Sequence, residues 1–356
     1  MTFTRLHELP PAKGNPRNSE GCFLTLRDGR IAFAYSRYQG DSSHDHAFCE
    51  IAVIFSSDGG ESWSQPRILV SPDSALGETN CMSVTLRRMD NGDVGLFYLV
   101  KYTPLISKML LRRSADELET LSLPVACVGH DYPNYYVVNN DRVLRTESGR
   151  WLIPAALHPS AMDGTGAADL CGLSAFYASD DDGVTWRRLS PFLSLPVGMV
   201  SDAGLREPGI TELAGGTLYA WFRTDLGRQY ESVSVDGGES WFPPKPSRFT
   251  SPDSPLLIKK NPHGGYAALW NPAPNYPTRP FHLCAWGRTP LALAQSPDGV
   301  RFSPPMILED DPTGGFCYPA IHFTGPRTLL VAYCAGSERL GDTACLQRTV
   351  IGRVEL

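Results

Sequence analysis

Six short hydrophobic runs recur along the chain, and each follows a turn-forming segment that contains glycine. Apolar residues dominate these runs and often alternate with small or polar ones, which is typical of strands in a packed sheet. No segment keeps the 3.6-residue period of an amphipathic helix over several turns. The pattern therefore predicts an all-β chain. The runs are RIAFAYS (30–36), DVGLFYL (93–99), RWLIPAAL (150–157), TLYAWF (217–222), YAALW (266–270) and RTLLVAY (327–333).

A second repeat has the pattern Ser-x-Asp-x-Gly-x-x-Trp, which we call the Asp-box. Full copies begin at Ser56, Ser179 and Ser234, a shortened copy begins at Ser296, and a copy that lacks the glycine and the aromatic residue begins at Ser114. Successive copies start roughly 60 residues apart, so the 356 residues correspond to six units. The aspartate suits bonding to turn amides and the glycine permits a positive φ, so the repeat indicates a structural turn.

Six units of this length with about four strands each predict a six-bladed β-propeller with four-stranded antiparallel blades, formed as one domain over residues 1–356. The last unit lacks an Asp-box and ends with the chain. We therefore expect residues 2–8 to supply the strand that closes the ring. Trp63, Trp186 and Trp241 of the full Asp-boxes are expected to be buried between blades.

Composition narrows the possible partners. A net charge of -6 gives no broad cationic surface for nucleic acid or an anionic membrane, so an anionic ligand needs a local arginine cluster. The N-terminus lacks the pattern of a signal peptide, and no run approaches the roughly 20 apolar residues of a membrane span. Nine cysteines without paired spacing favour reduced thiols in the core. We expect a cytoplasmic location, no nucleic-acid partner and no membrane partner.

Polar residues recur where one edge of every blade is predicted. The start of the first strand, the end of the second and the start of the third share that edge, whereas the Asp-boxes mark the opposite one. The residues before first strands are Arg17, Asn80, Asn140, Asp141, Glu207, Asp253 and Tyr318. Those ending second strands are Arg37, Lys101, His158, Arg223 and Asn271, and those near third strands are Asp45 and Arg288. This set predicts an anion-binding pocket on the ring axis.

With these residues and the Asp-boxes, the chain resembles the sialidase (exo-α-neuraminidase) superfamily, in particular a branch of bacterial sialidase-like proteins. The resemblance implies that Tyr318 is the nucleophile, that Glu207 takes its proton and that Asp45 is the acid/base, with Asp41 as the alternative. It also implies that three arginines, Arg17, Arg223 and Arg288, hold a substrate carboxylate, with Arg279 as the alternative third. Arg37 is the auxiliary arginine of the first blade, and Asp141 and His158 are further candidate binding residues.

Chemistry favours this set of residues for an acidic sugar. A carboxylate nucleophile would be repelled by a substrate carboxylate, whereas a phenol becomes charged only after giving its proton to a base. Arginine binds carboxylates with two parallel hydrogen bonds and stays charged. We therefore predict an exo-acting, retaining glycoside hydrolase for a terminal sialic acid or related acidic sugar.

Two alternatives remain open at the level of sequence. One is a non-catalytic propeller that binds glycans, and the other is a propeller glycosidase with a different sugar specificity. Asn18 and Ser19 replace the Ile-Pro that follows the first arginine in the family, and the segment 139–142 also departs from the best-known sialidases. No cofactor motif is present, and His44-Asp45-His46 alone is a weak metal signal, so we expect neither a cofactor nor a metal.

Overall fold

We describe a computed structural model of the chain, which covers residues 1–159, 168–189, 192–196, 198–275 and 282–356. Within these ranges the ordered elements are 25 β-strands and three short 3-10 turns. The prediction of an all-β chain is confirmed.

The strands form six antiparallel sheets. The first strand, β1 (Thr2–Leu9), belongs to the last sheet. The first blade comprises β2 (Asn18–Thr25), β3 (Ile31–Tyr38), β4 (Cys49–Ser56) and β5 (Arg67–Val70). The second comprises β6 (Asn80–Arg88), β7 (Val94–Thr103), β8 (Ile106–Ser114) and β9 (Val125–Val128). The third comprises β10 (Tyr135–Val137), β11 (Leu144–Arg145), β12 (Trp151–His158), β13 (Leu173–Ser179) and β14 (Arg187–Arg188).

The other three blades follow the same order. The fourth blade comprises β15 (Arg206–Glu212), β16 (Leu218–Arg223), β17 (Arg228–Ser234) and β18 (Lys245–Thr250). The fifth comprises β19 (Leu257–Lys260), β20 (Tyr266–Trp270), β21 (Leu291–Ser296) and β22 (Met306–Glu309). The sixth comprises β23 (Gly314–Phe323), β24 (Thr328–Ser337) and β25 (Arg348–Glu355) with β1. In the third blade two short strands, β10 and β11, both pair with β12 and together take the place of one inner strand.

Contacts between inner strands close the sheets into a ring. Strand β2 packs against β6 on one side and β23 on the other, β12 against β15, and β15 and β23 both against β19. Apolar clusters fill the space between neighbouring blades, as where Trp221, Leu269 and Tyr333 share one cluster. The predicted six-bladed β-propeller is confirmed.

The N-terminus closes the ring as predicted. Strand β1 pairs antiparallel with β25, from Thr2 opposite Glu355 to Leu9 opposite Thr349. The last blade therefore contains strands from both ends of the chain.

The Asp-boxes form the turn between the third and fourth strands. In the first copy, Gly60 N donates to Ser56 Oγ at 2.8 Å, Ser62 N donates to Asp58 Oδ1 at 3.0 Å, and Trp63 Nε1 donates to the Gly60 carbonyl at 3.0 Å. The copy at Ser114 keeps the turn because Leu118, at φ +75°, takes the place of the glycine.

Burial of the Asp-box tryptophans agrees with the expectation in part. Trp186 is buried, whereas Trp63 and Trp241 are only partly buried. All nine cysteines are free thiols, and eight of them are buried.

A bulge in the inner strands positions the site. The register of β2, β6, β15 and β23 shifts within the strand, and the residues at these shifts, Glu20, Ser83, Glu207 and Tyr318, have φ between +49° and +55°. In the third blade, Asp141 has φ +55° between the two inner segments. A bulge re-aims a side chain, and the side chains at two of these positions, Glu207 and Tyr318, meet in a hydrogen bond across the ring.

Candidate active site

A cavity of about 370 Å³ lies on the ring axis at the edge where the first strands begin. Six of the nine predicted site residues line it: Asp45, His158, Glu207, Arg223, Arg288 and Tyr318. The Asp-box turns lie at the other end of the strands.

Tyr318 and Glu207 meet on the floor of the cavity. Tyr318 Oη donates to Glu207 Oε1 at 2.8 Å, although the two residues come from the sixth and fourth blades. Arg223 Nη1 lies 2.7 Å from the same Glu207 oxygen and 3.3 Å from Tyr318 Oη. The three side chains therefore form one hydrogen-bonded group of a phenol, a carboxylate and a guanidinium.

The charges around this group decide where the proton lies. Burial and the negative charge of Glu207 raise the pKa of Tyr318 well above its usual range, against the opposite effect of the arginines. Burial also acts to raise the pKa of Glu207, but Arg223 and its neighbouring arginines outweigh that effect and lower it. In the free protein the proton therefore lies on the phenol, and the carboxylate is ready to accept it.

A second carboxylate holds Arg223 from behind. Arg223 Nε donates to Asp253 Oδ1 at 2.6 Å, and Arg206 donates to the other oxygen of Asp253. Burial would raise the pKa of Asp253, but the two arginines hold it at about 2. Arg206 itself lines the cavity and adds a cation that the sequence analysis did not identify.

Arg288 lies between two rings. Its guanidinium carbon is 5.5 Å from the centre of the Tyr318 ring and 5.1 Å from that of Trp286. Its Nη1 donates to Cys317 Sγ at 3.3 Å, and its Nε has no partner in the described part of the chain. Its charge is thus not bound to a carboxylate among the described residues, which leaves it available to an anion in the cavity.

Arg17 and Asp45 form an ion pair at the opposite wall. Arg17 is 2% exposed, and its Nη1 lies 2.5 Å from Asp45 Oδ1, whose side chain is 55% exposed. Lys101 Nζ donates to the backbone oxygen of Asp45 at 2.7 Å. Loss of water from the part of the Asp45 carboxylate that faces Arg17 acts to raise its pKa, but the charges of Arg17 and Lys101 prevail and hold the pKa far below its usual range.

His158 lines the cavity beside these groups. Its Nδ1 donates to the carbonyl oxygen of Asp169 at 2.8 Å, and burial lowers the pKa of the ring. His46 and Tyr135 also line this wall, with ring centres 5.7 Å apart.

The remaining predicted site residues do not line the cavity. Arg17 lies behind Asp45, and Arg37 Nη1 lies 3.9 Å from Glu50 Oε2. Asp141 is completely buried deeper in the channel, where both carboxylate oxygens lie 2.7 Å from Lys259 Nζ. Asp41 is exposed in the loop before Asp45, and Arg279 lies outside the described residues.

Glu20 and Arg206 were missed by the sequence analysis. The signal for Glu20 is the inner-strand register, because Glu20 is the counterpart in the first blade of Glu207 and Tyr318. The signal for Arg206 is its place directly before Glu207. Neither is visible in the hydrophobic pattern, since both depend on where the bulge falls.

Within the described ranges, no three His, Cys, Asp or Glu side chains lie close enough to hold a metal ion. Among the same residues, no helix is long and apolar enough to cross a membrane.

The six blades, the Asp-box turns and the polar cavity on the axis define a propeller of the sialidase-like class. The chain belongs to the BNR repeat-like domain family, which matches residues 29–328. A comparison with curated proteins found no match.

Solved structures share the fold over the whole chain. A protein of unknown function from Dyadobacter fermentans is 16% identical, with a TM-score of 0.73 and 99% of both chains covered. The intramolecular trans-sialidase from Ruminococcus gnavus, in complex with oseltamivir carboxylate, is 13% identical, with a TM-score of 0.72 and coverage of 99% of this chain and 97% of that one. A sialidase from Streptococcus pneumoniae is 12% identical, with a TM-score of 0.71 and coverage of 99% and 70%. The resemblance to the sialidase superfamily is thereby confirmed for the fold.

Proposed function

We propose that the protein is an exo-acting, retaining glycosidase that removes a terminal sialic acid or a closely related acidic sugar. The observation that carries this proposal is the Tyr318–Glu207 hydrogen bond of 2.8 Å beside Arg223 and below Arg288. A glycan-binding protein gains nothing from a buried phenol paired with a base, whereas a glycosidase that acts next to a carboxylate needs such a pair.

The arginines supply the site for the substrate carboxylate. Arg288 and Arg223 flank Tyr318, and Arg17 already holds one carboxylate, that of Asp45. In this proposal the substrate carboxylate takes the place of Asp45 on Arg17. Asp45 then loses the interaction that keeps its pKa low, so it gains the proton that a general acid needs.

The reaction proceeds in two displacements. Glu207 takes the proton of Tyr318 as Tyr318 Oη bonds to the anomeric carbon, while the glycosidic C–O bond breaks and Asp45 protonates the leaving oxygen. Water then attacks the anomeric carbon and gives a proton to Asp45. Tyr318 Oη leaves and recovers its proton from Glu207, so the sugar is released with its configuration retained.

Hydrolysis of fluorogenic sialosides, beside other acidic and neutral glycosides, tests the proposed substrate class. For Tyr318→Phe we expect a loss of turnover of about 10²-fold or more, because the covalent intermediate cannot form, while sialic acid still binds to the arginines. Turnover by stopped assay and affinity by calorimetry measure the two effects.

Tyr333→Phe is the matched control. Tyr333 is also a buried tyrosine of the sixth blade bonded to a glutamate, Glu309, but it does not line the cavity. Its removal should leave turnover unchanged. Normal turnover by Tyr318→Phe on the preferred substrate would refute the mechanism, and activity on neutral glycosides alone would refute the substrate class.

A further inference from the structure

A second carboxyl group, Glu20, lies on the inner wall of the channel and is not used in the proposed reaction. It occupies the bulge of β2 with φ +55°, in the position that Tyr318 and Glu207 occupy in their own blades. It is 5% exposed, and its Oε2 has no hydrogen-bond donor in the described part of the chain. A buried carboxylate oxygen without a donor is costly, so this group favours its protonated form.

The nearest charge to Glu20 is the predicted carboxylate-binding Arg17. Arg17 Nη2 lies 3.6 Å from Glu20 Oε2, which is longer than a hydrogen bond but within ion-pair range. The other side of the same guanidinium contacts Asp45. Arg17 is therefore placed between an inner carboxyl group and the position that we assign to the substrate carboxylate.

Burial and the neighbouring charges together set the pKa of Glu20. Burial raises the pKa of Glu20 to about 7, Arg17 and Lys101 act to lower it, and Asp45 and Glu207 act to raise it. The remaining titratable neighbours stay neutral around pH 7, because burial raises the pKa of each well above its usual range; they are Tyr38, Cys49, Tyr318 and Cys334. Cys334 Sγ also accepts a hydrogen bond of 3.3 Å from the backbone N–H of Glu20.

We propose that Glu20 is a positioning residue whose ionised form competes with the substrate carboxylate for Arg17. Glu20 therefore takes up a proton when the acidic sugar binds. This inference rests on the proposed function. A substrate carboxylate on Arg17 brings a negative charge close to Glu20, which favours the neutral form of Glu20. Neutral Glu20 in turn leaves the whole charge of Arg17 to the substrate.

The inference predicts a linkage between binding and protons. If binding raises the pKa of Glu20 by one unit, the affinity for sialic acid falls about five-fold between pH 6 and pH 8, and about half a proton is taken up per sugar at pH 7.5. Calorimetry in two buffers with different ionisation enthalpies measures the uptake directly. Because Asp45 also gains a proton on binding in the proposed reaction, the comparison is made in the Asp45→Ala background, where adding Glu20→Gln should abolish both the uptake and the fall in affinity.

Glu309→Gln is the control for replacing a buried carboxylate. Glu309 is 8% exposed and accepts a hydrogen bond from Arg5 Nε at 2.7 Å, away from the cavity. It should keep the linkage of the unmodified protein. Proton uptake that persists when Glu20→Gln is added to Asp45→Ala would assign the effect to the histidines of the cavity wall and overturn the inference.

A measurement without sugar separates this inference from the proposed function. The ¹³C NMR signal of the Glu20 carboxyl group, assigned by its absence in Glu20→Gln, should titrate near pH 7 in the free protein. Titration below pH 5 would overturn the inference even if the protein hydrolyses sialosides. Titration near pH 7 without binding of sialic acid at any pH would refute the proposed substrate class and, with it, the linkage.

Discussion

Tyr318, Glu207 and Glu20 share a backbone conformation that residues other than glycine rarely adopt, with φ of +50°, +49° and +55°. Such a residue costs roughly 1–2 kcal/mol, and it persists only where the surrounding structure holds it in place. In this ring the strained position turns each side chain toward the axis. The strained backbone therefore occurs at the positions from which a side chain can reach a ligand.

Asp45 gives a prediction at the level of a single residue. For Asp45→Ala we expect turnover to fall by about 10²–10⁴-fold on a substrate with a poor leaving group, because no acid protonates the leaving oxygen. The affinity for sialic acid should rise by roughly two- to five-fold, because the half-exposed carboxylate that competes for Arg17 is gone. Steady-state kinetics and calorimetry measure the two effects.

The neighbouring Asp41→Ala is the matched control for that experiment. Asp41 lies in the same loop and is exposed, and it does not line the cavity. Its removal should change neither turnover nor affinity. The opposite result, with Asp41→Ala inactive and Asp45→Ala active, would transfer the acid role to Asp41.

At the scale of elements, the divided inner strand of the third blade ties together three blades. Asp141 lies between β10 and β11 and accepts from Lys259 of the fifth blade at 2.7 Å and from Arg87 of the second at 3.0 Å. Burial acts to raise the pKa of Asp141, but the two cations outweigh that effect and hold it at about 2. Asp141, which the sequence suggested as a substrate-binding residue, thus belongs to a buried ion cluster inside the channel.

Asp141→Asn should lower the free energy of unfolding by about 3–5 kcal/mol, because it leaves buried cations without their counter-charge. The folded pKa of about 2 lies below the unfolded value of roughly 3.9. The contribution of the carboxylate is therefore complete above about pH 4 and is lost as the pH falls toward 2. Denaturant unfolding at several pH values measures it.

The exposed Asp310→Asn is the control for the loss of a negative charge, and it should change stability by less than about 0.5 kcal/mol. If Asp141→Asn were as stable as the unmodified protein at neutral pH, the cluster would contribute nothing to holding the blades together.

At the scale of the whole molecule, the ring is closed by pairing the two ends of the chain. Strand β1 covers the edge of β25, and Arg5 of β1 contacts Glu309 of the fifth blade. An uncovered β25 would present a free edge to other molecules. The closing strand therefore protects the last blade and links it to its neighbour.

Removal of residues 2–9 should lower Tm by roughly 5 °C or more and expose the amides of β25 to hydrogen exchange. A synthetic peptide of the sequence TFTRLHEL, added in trans, should restore both, whereas a scrambled peptide should not. Unchanged protection of β25 after the truncation would show that the ring closes without β1.

The hydrophobic runs and the Asp-boxes were sufficient to predict the number of blades, the all-β class and the closing strand. These features follow from local chemistry: alternating apolar residues favour strands, and Ser, Asp and Gly at fixed spacing favour one turn. The Ser114 copy marks the limit of this rule. It lacks the glycine, yet Leu118 N donates to Ser114 Oγ in the same way as the glycine N–H does in a full copy.

The composition of the site was only partly accessible from the sequence. The strand ends placed Glu207, Arg223, Arg288 and Tyr318 on one side of the ring, because antiparallel pairing fixes which strand ends share an edge of the blade. The register within each inner strand was decided by the tertiary structure, since a shift of one residue in a bulge reverses the side that a side chain faces. The bulge of β2 places Glu20 beside Arg17, and the break between β10 and β11 places Asp141 in a salt bridge with Lys259. The sequence alone determined the ring and its polar edge, whereas packing across the axis decided which charges meet there.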